Sequence, residues 1–278
     1  MLTVRFWGVR GSLPSPGPDT VTYGGNTSCL EIRANERLII IDLGTGIRPL
    51  GDWLMENDHK KYGKIKADIF LTHTHWDHIM GFPMFSPVYV PGSEFRITAS
   101  ASFKNKTIKS IIETQLSHQY WPVSLDELSA KIEYNQMKEE TLDLGGGLFV
   151  TSKSLNHPCH CLGYRFDYQG KSIATVYDHE PFSDTGENEK VRQFIKGADI
   201  VIHDAQYAHE EYSRHKGWGH CSYEHAVLGA SDLGIKKLIL FHHEPSRTDV
   251  QLEKIDKSYA KCSAPQITLA KEGMYLKA

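Results

Sequence analysis

The sequence predicts an α/β (α+β) chain in which two β-sheets pack together under a cover of helices. Three observations predict it. Short apolar, β-prone runs recur in both halves, among them residues 38–41, 67–71, 172–177, 198–203 and 235–241. Stretches with helical spacing of apolar residues fall between them. No internal repeat or low-complexity tract interrupts the pattern. The composition, 40% hydrophobic and 23% charged over 278 residues, is ordinary for a globular chain able to bury a sizeable core.

Residues 2–7 alternate as a first strand. The loop from Gly8 to Pro18 is too rich in Gly and Pro for helix or central strand. Gly24-Gly25-Asn26-Thr27-Ser28 turns into a strand at 29–33, and Asn35-Glu36 turns again into 38–41, an antiparallel meander. Asp42-Leu43-Gly44-Thr45-Gly46 leads to a helix over 47–55. Its Gly-x-Gly lacks the third Gly and the Lys of a phosphate loop. Residues 67–71 read as a buried strand ending at Thr72. Pro83, Pro87 and Pro91 keep 80–91 a loop with at most a short helix. A strand at 95–99 precedes a helix over 102–117, with Phe103, Ile108, Ile111, Ile112 and Leu116 on its apolar face and Lys104, Lys106 and Lys109 on a solvated one. Tyr120-Trp121-Pro122 is an aromatic turn that either packs or covers a site. Gly145-Gly146-Gly147 is a hairpin-like turn. Strands at 162–168 and 172–177 flank the turn Gln169-Gly170, and a helix spans 187–197. After the buried strand at 198–203, Ser222 opens a helix in which Ala226, Leu228, Ala230 and Leu233 are available for packing, ending near Gly234. Thr248-x-x-Gln251 forms a capping box for a last helix.

The chemistry concentrates in Leu71-Thr72-His73-Thr74-His75-Trp76-Asp77-His78-Ile79-Met80-Gly81, where four candidate metal ligands lie within six residues on the loop leaving a buried strand. His73 and His75 alternate, so both can point at one ion. Asp77 and His78 can reach a second. Neutral imidazoles suit zinc, manganese or iron, and carboxylates compensate charge. Three further candidates sit at or just beyond predicted strands: His157 in Ser154-Leu155-Asn156-His157-Pro158-Cys159-His160-Cys161-Leu162-Gly163, Asp178 after 172–177, and His242 after 237–241.

In order and residue type these positions resemble the His-x-His-x-Asp-His signature and later metal motifs of the metallo-β-lactamase superfamily, over nearly the whole chain. The resemblance implies an αββα sandwich of two mixed β-sheets flanked by helices, in a single domain over 1–278. It implies two divalent metal ions, zinc first, with manganese or iron as alternatives. One ion falls to His73, His75 and His157, the second to Asp77, His78 and His242, with Asp178 bridging. A hydroxide between the ions is the implied nucleophile, and Asp77 counts among the catalytic residues. His242 lies nearer the strand end than His243 and is the implied ligand, leaving His243 to support it or touch substrate. Asp42-x-Gly44-x-Gly46 is implied to support the His loop from below. His203-Asp204-Ala205-Gln206 resembles the His-Glu-Ala-Thr segment of RNase Z-like enzymes, with the shorter Asp in place of Glu, and Gly219-His220-Cys221-Ser222 resembles their His-Ser-Thr segment. Carried over, Asp204 orients His220 as a general acid. The plainer reading of His220 is a strand-end histidine capping a helix.

The expected function is therefore a dinuclear hydrolase, a phosphodiesterase acting on a small phosphodiester such as a cyclic nucleotide, with the base selected by loops 8–28 and 81–123. One alternative is an RNase Z-type endoribonuclease. No Gly- and Pro-rich tRNA arm is evident, and the net charge of −3 with histidines neutral offers no basic stripe for nucleic acid. A lactone, thioester or β-lactam hydrolase on the same metals would not require the Asp204–His220 pair. A non-catalytic binding module would lack ligands, and none is missing. The expected partner is a small-molecule substrate, with nucleic acid disfavoured and a homodimer left open. No run is long enough to span a membrane, and the N-terminus carries no signal-peptide pattern. The five cysteines read as reduced thiols of a cytoplasmic chain, with Cys159-His160-Cys161 as loop fillers.

Overall fold

The computed structural model describes residues 1–100 and 106–278. The chain opens with β1 (Leu2–Gly8), β2 (Cys29–Ala34), β3 (Arg37–Ile41), α1 (Ile47–Leu54), α2 (Lys60–Tyr62), β4 (Lys66–Phe70), α3 (Trp76–Ile79), β5 (Glu94–Ser100), α4 (Ile108–Gln115) and β6 (Lys131–Met137). It continues with β7 (Thr141–Gly145), β8 (Leu148–Leu155), β9 (Cys161–Tyr168), β10 (Lys171–Val176), α5 (Thr185–Ile195), β11 (Ile200–Asp204), α6 (His209–His215), α7 (Tyr223–Ala230), β12 (Lys237–Phe241), α8 (Asp249–Tyr259), β13 (Gln266–Leu269) and β14 (Tyr275–Lys277).

Among the described residues the strands form two seven-stranded sheets, ordered β14-β1-β2-β3-β4-β5-β6 and β13-β12-β11-β10-β9-β8-β7. Both are mixed in the same way. In the first, β14, β1, β2 and β3 pair antiparallel and β3 through β6 parallel. In the second, β7 through β10 pair antiparallel and β10 through β13 parallel. Short hairpins join β2 to β3 and link β7 through β10, while helical crossovers build the parallel halves.

The sheets face each other across Phe6, Ile39, Ile41, Phe70, Tyr164, Phe166, Tyr177, Ile239 and Phe241. Alternation along the strands sends the other set outward. Leu38, Ile40 and Ile69 pack under α1 and α4, and Val201, Leu238 and Leu240 pack under α5, α7 and α8. This helix–sheet–sheet–helix layering is the expected sandwich. No helix among the described residues is long and apolar enough to cross a membrane.

Local chemistry sets the boundaries. Thr107, Asp184, Ser222 and Thr248 cap the first turns of α4, α5, α7 and α8 through their side chains, satisfying backbone donors that the helix leaves open. The Thr248/Gln251 capping box is present. The helix expected over 102–117 starts at Ile108, and Phe103 and Lys104 lie outside the described residues. Lys109 is ion-paired with Glu113 at the surface. The helix from Ser222 stops at Ala230, short of Gly234, and Leu228 is 69% exposed instead of packed. Trp121 donates to the Tyr89 hydroxyl at 3.3 Å and packs against the outer core of the first sheet, while Tyr120 is exposed.

Phe166 sits fully buried between the sheets, edge-on to Phe70 with ring centres 5.5 Å apart. Phe166→Ala should lower unfolding free energy by about 3–5 kcal/mol, read as a shift of the urea midpoint at constant slope. A loss below about 1 kcal/mol would contradict this packing.

Candidate metal centre

Parallel strands end on the same side, so β3, β4, β10, β11 and β12 deliver their following residues to one edge of the sandwich. Asp42 follows β3, the segment from His73 to His78 follows β4, Asp178 lies just beyond β10, Asp204 closes β11 and His242 follows β12. Asp42, Asp178 and His242 all adopt left-handed backbone, with φ of 61°, 42° and 64°. Such conformations cost on the order of 1–3 kcal/mol each and persist only where surroundings over-determine them.

The ring nitrogens of four histidines are assigned by their partners. Nδ1 of His78 lies 2.7 Å from Asp42 Oδ2, and Nδ1 of His242 lies 3.0 Å from Gln206 Oε1. Nδ1 of His157 lies 3.0 Å from the Gly219 carbonyl. Nδ1 of His73 lies 3.1 Å from Thr72 Oγ1, whose own proton goes to Asp42 at 2.8 Å. Each partner accepts, so each Nδ1 donates and turns its Nε2 edge toward the others. Those edges converge. Nε2 of His78 and Nε2 of His242 face each other at 3.3 Å, and Asp178, Asp77 and Asp42 outweigh burial to hold His78 well above the usual imidazole range. His78 Nε2 is also 3.2 Å from both Asp77 Oδ2 and Asp178 Oδ2. His242 Nε2 is 3.2 Å from Asp77 Oδ2 and 3.3 Å from Asp178 Oδ1. On the other side, His73 Nε2 is 3.4 Å and His157 Nε2 3.8 Å from Asp178 Oδ2, and His157 Nε2 is 3.0 Å from His75 Nδ1.

Two ligands each about 2.0–2.1 Å from a shared tetrahedral ion stand roughly 3.3–3.4 Å apart, which is the spacing of these donors. His73 Nε2 and Asp178 Oδ1 are buried with no hydrogen-bond partner, an arrangement that a cation resolves. Burial opposes the charge on Asp77, but His78 and His242 outweigh it and hold the carboxyl well below the usual range. The same balance, through His242, His78 and His73, holds Asp178 well below it. Burial first, then His78, keeps His73 neutral, the form that binds metals. The donors thus fit two divalent cations. One group is His73, His75, His157 and Cys159; the other is Asp77, His78, Asp178 and His242, with the donor atoms of each group within 4.8 Å of one another.

Beside the cluster, Nδ1 of His220 lies 2.8 Å from Asp204 Oδ2, so the shorter Asp makes direct contact. Asp204 also accepts from the backbone N–H groups of His179 and Gln206. Burial acts against a charge on His220, and the Asp204 carboxylate outweighs it, raising the imidazole to about 9. The His220 ring stacks on His242 at 5.0 Å and meets His157 edge-on at 5.3 Å. Close approach dictates two glycines. A Cβ on Gly11 would come 2.4 Å from the His242 ring, and one on Gly219, at φ 89°, 2.1 Å from His157.

Several contributors carry no sequence signal. Gln206 orients His242 and donates to Ser12 Oγ at 3.2 Å. The Ser12 N–H donates to Asp77 at 2.8 Å. The buried Glu180 carboxylate accepts from Gly217 N–H, Gly219 N–H and Tyr212 OH, tying down the loop before His220. Asp42 does lie beneath the His loop, accepting from Thr72 N–H at 2.8 Å as well as from His78. His243 is not among the clustered donors. It is fully buried, edge-on to Tyr23, and donates to the Ala270 carbonyl. Of the presumed loop fillers, His160 pairs with Ser100 at 2.7 Å and Cys161 is buried under the Tyr177 carbonyl, but Cys159 stands among the histidines.

The family described as "Beta-lactamase superfamily domain" matches residues 37–243, a span containing every donor named above. The chain belongs to the beta-lactamase superfamily. Ribonuclease Z of Bacillus velezensis is 27% identical over 220 residues, covering 63% of this chain and 68% of the relative. Two solved structures share the superfamily fold. One is the metallo-beta-lactamase fold protein YhfI from Bacillus subtilis, with TM-score 0.72, 17% identity, and coverage of 100% of this chain and 99% of that one. The other is the short form of human tRNase Z, with TM-score 0.68, 20% identity, and coverage of 99% and 98%.

Asp42→Ala removes the acceptor that fixes His78 and Thr72. It should weaken metal affinity about 10–100-fold, measured by competition with a chromophoric chelator, while the chain stays folded. Unchanged affinity would mean that Asp42 does not orient the cluster.

Proposed function

We propose that the chain is a dinuclear metal-dependent phosphodiesterase acting on a small phosphodiester such as a cyclic nucleotide. His73, His75 and His157 would hold one divalent ion, Asp77, His78 and His242 the other, and Asp178 would serve both, zinc being the ion this mixture of imidazole and carboxylate accepts most readily. Such ions, when bound, act as Lewis acids on phosphoryl oxygens and lower the pKa of coordinated water.

The observation that carries the reading is the Asp204–His220 pair, 2.8 Å apart at the rim of the donor cluster. Asp204 fixes the His220 proton at Nδ1 and stabilises the imidazolium, leaving the Nε2 edge to donate to a departing oxygen. Its own two backbone donors keep Asp204 from rotating. Glu180 and Gly219 hold the His220 loop in register with His157. Thioester hydrolysis, which expels a thiolate, does not call for such a donor. A nucleotide alkoxide is a poor leaving group and does.

The relative named ribonuclease Z supports a second reading, cleavage of structured RNA by the same pair and ions. The net charge of −3 weighs against it, because RNA backbones recruit basic surfaces. Assays with a cyclic nucleotide and with a structured RNA separate the two.

His220→Ala should slow cyclic-nucleotide hydrolysis by roughly a hundredfold or more, with a much smaller loss on bis-p-nitrophenyl phosphate, whose leaving group departs without a proton. Asp204→Asn should show the same bias in weaker form. Equal kcat/KM losses on both substrates, at unchanged metal content, would make His220 a phosphate-binding residue instead of the acid.

A further inference from the structure

We propose that Cys159 is a further protein ligand of the ion held by His73, His75 and His157, beside the shared Asp178, and that its sulfur makes this half of the centre favour zinc over manganese. The inference rests on the metal-centre reading above and concerns which atoms complete it.

Cys159 lies two residues beyond His157, on the bend between β8 and β9. Its sulfur and the ring nitrogens of His73, His75 and His157 all lie within 4.8 Å of one another. Zn–N bonds of about 2.0–2.1 Å and a Zn–S bond of about 2.3 Å would draw that group together around one ion. An independent sign that this space takes a cation is His73 Nε2, fully buried with no partner.

The neighbouring thiols do not compete. Cys161 Sγ is 3.9 Å from His73 Nδ1, the nitrogen already committed to Thr72, and sits 3.5 Å from the Tyr177 carbonyl. Cys221 donates to the Asp204 carbonyl at 2.9 Å. The two halves of the centre therefore differ. One offers three nitrogens and a sulfur; the other offers two imidazoles and two carboxylates. Thiolate selects zinc, whereas manganese prefers oxygen donors. On binding, the S–H bond is replaced by a sulfur–metal bond and one proton passes to solvent.

Titration of chelator-treated protein with cobalt(II) chloride tests this. The full chain should bind two cobalt ions, and a near-ultraviolet thiolate-to-cobalt charge-transfer band should grow and saturate with one of them. Cys159→Ser and Cys159→Ala should still bind cobalt but lose the band, and Cys161→Ser should keep it. The zinc-to-manganese affinity ratio should fall on the order of tenfold in Cys159→Ser. Cobalt binding without the band, or a band surviving both Cys159 substitutions, would overturn the ligand assignment and leave the dinuclear centre standing. An unchanged zinc-to-manganese ratio would overturn the selectivity. No cobalt binding by the unsubstituted chain would overturn the metal centre itself.

Discussion

Four imidazole Nε2 edges are forced to face one another, and the structure around them is arranged to keep them so. Left alone, a histidine beside another would rotate to make a different hydrogen bond. Here each Nδ1 is already engaged, by Asp42, Thr72, Gln206 and the Gly219 carbonyl. Each Nε2 therefore points inward, and the charge on His78 beside Asp77 and Asp178 helps keep those two carboxylates ionised. Imidazoles and carboxylates packed this closely suit divalent cations, which would displace protons such as the one His78 holds. The left-handed backbone at Asp42, Asp178 and His242 belongs to the same balance: backbone strain at strand ends, offset by the contacts it creates.

The two sheets divide this work. The first supplies Asp42 and the His73–His78 loop from the ends of adjacent parallel strands, and the second supplies Asp178, Asp204 and His242 in the same way. Because the inward faces of β3, β4, β10 and β12 share one apolar layer, the strand ends cannot shift independently. The aromatic stack of Tyr177 on Phe241, with ring centres 4.5 Å apart, sits directly behind Asp178 and His242. Packing thus acts on the chemistry through distances between strand ends.

Much of this is legible in the sequence because the signals are local. His73, His75, Asp77 and His78 are nearly contiguous, and the apolar runs before Thr72, Asp178 and His242 announce buried strands. Edge strands are less legible. β6 alternates Lys131, Glu133 and Asn135 with half-buried residues, and β14 has only three residues, so neither presents an apolar run. Helical spacing could not tell that Leu228 faces solvent, since α7 ends a turn early. The partners of the ligands are the least legible. Gln206 and Glu180 act across 36 to 39 residues of chain, and nothing in their own surroundings marks them. Cys159 reads as filler until the bend between β8 and β9 brings it to His73 and His75.

The central claim is that this strand-end cluster is a two-ion centre with a donor set on each side of Asp178. X-ray diffraction from protein purified without chelator, recorded above and below the absorption edge of the bound metal, tests it directly. The account predicts two anomalous peaks per chain, one among His73, His75 and His157 and one among Asp77, His78 and His242, with Asp178 between them. A single peak, or peaks away from these residues, would contradict it.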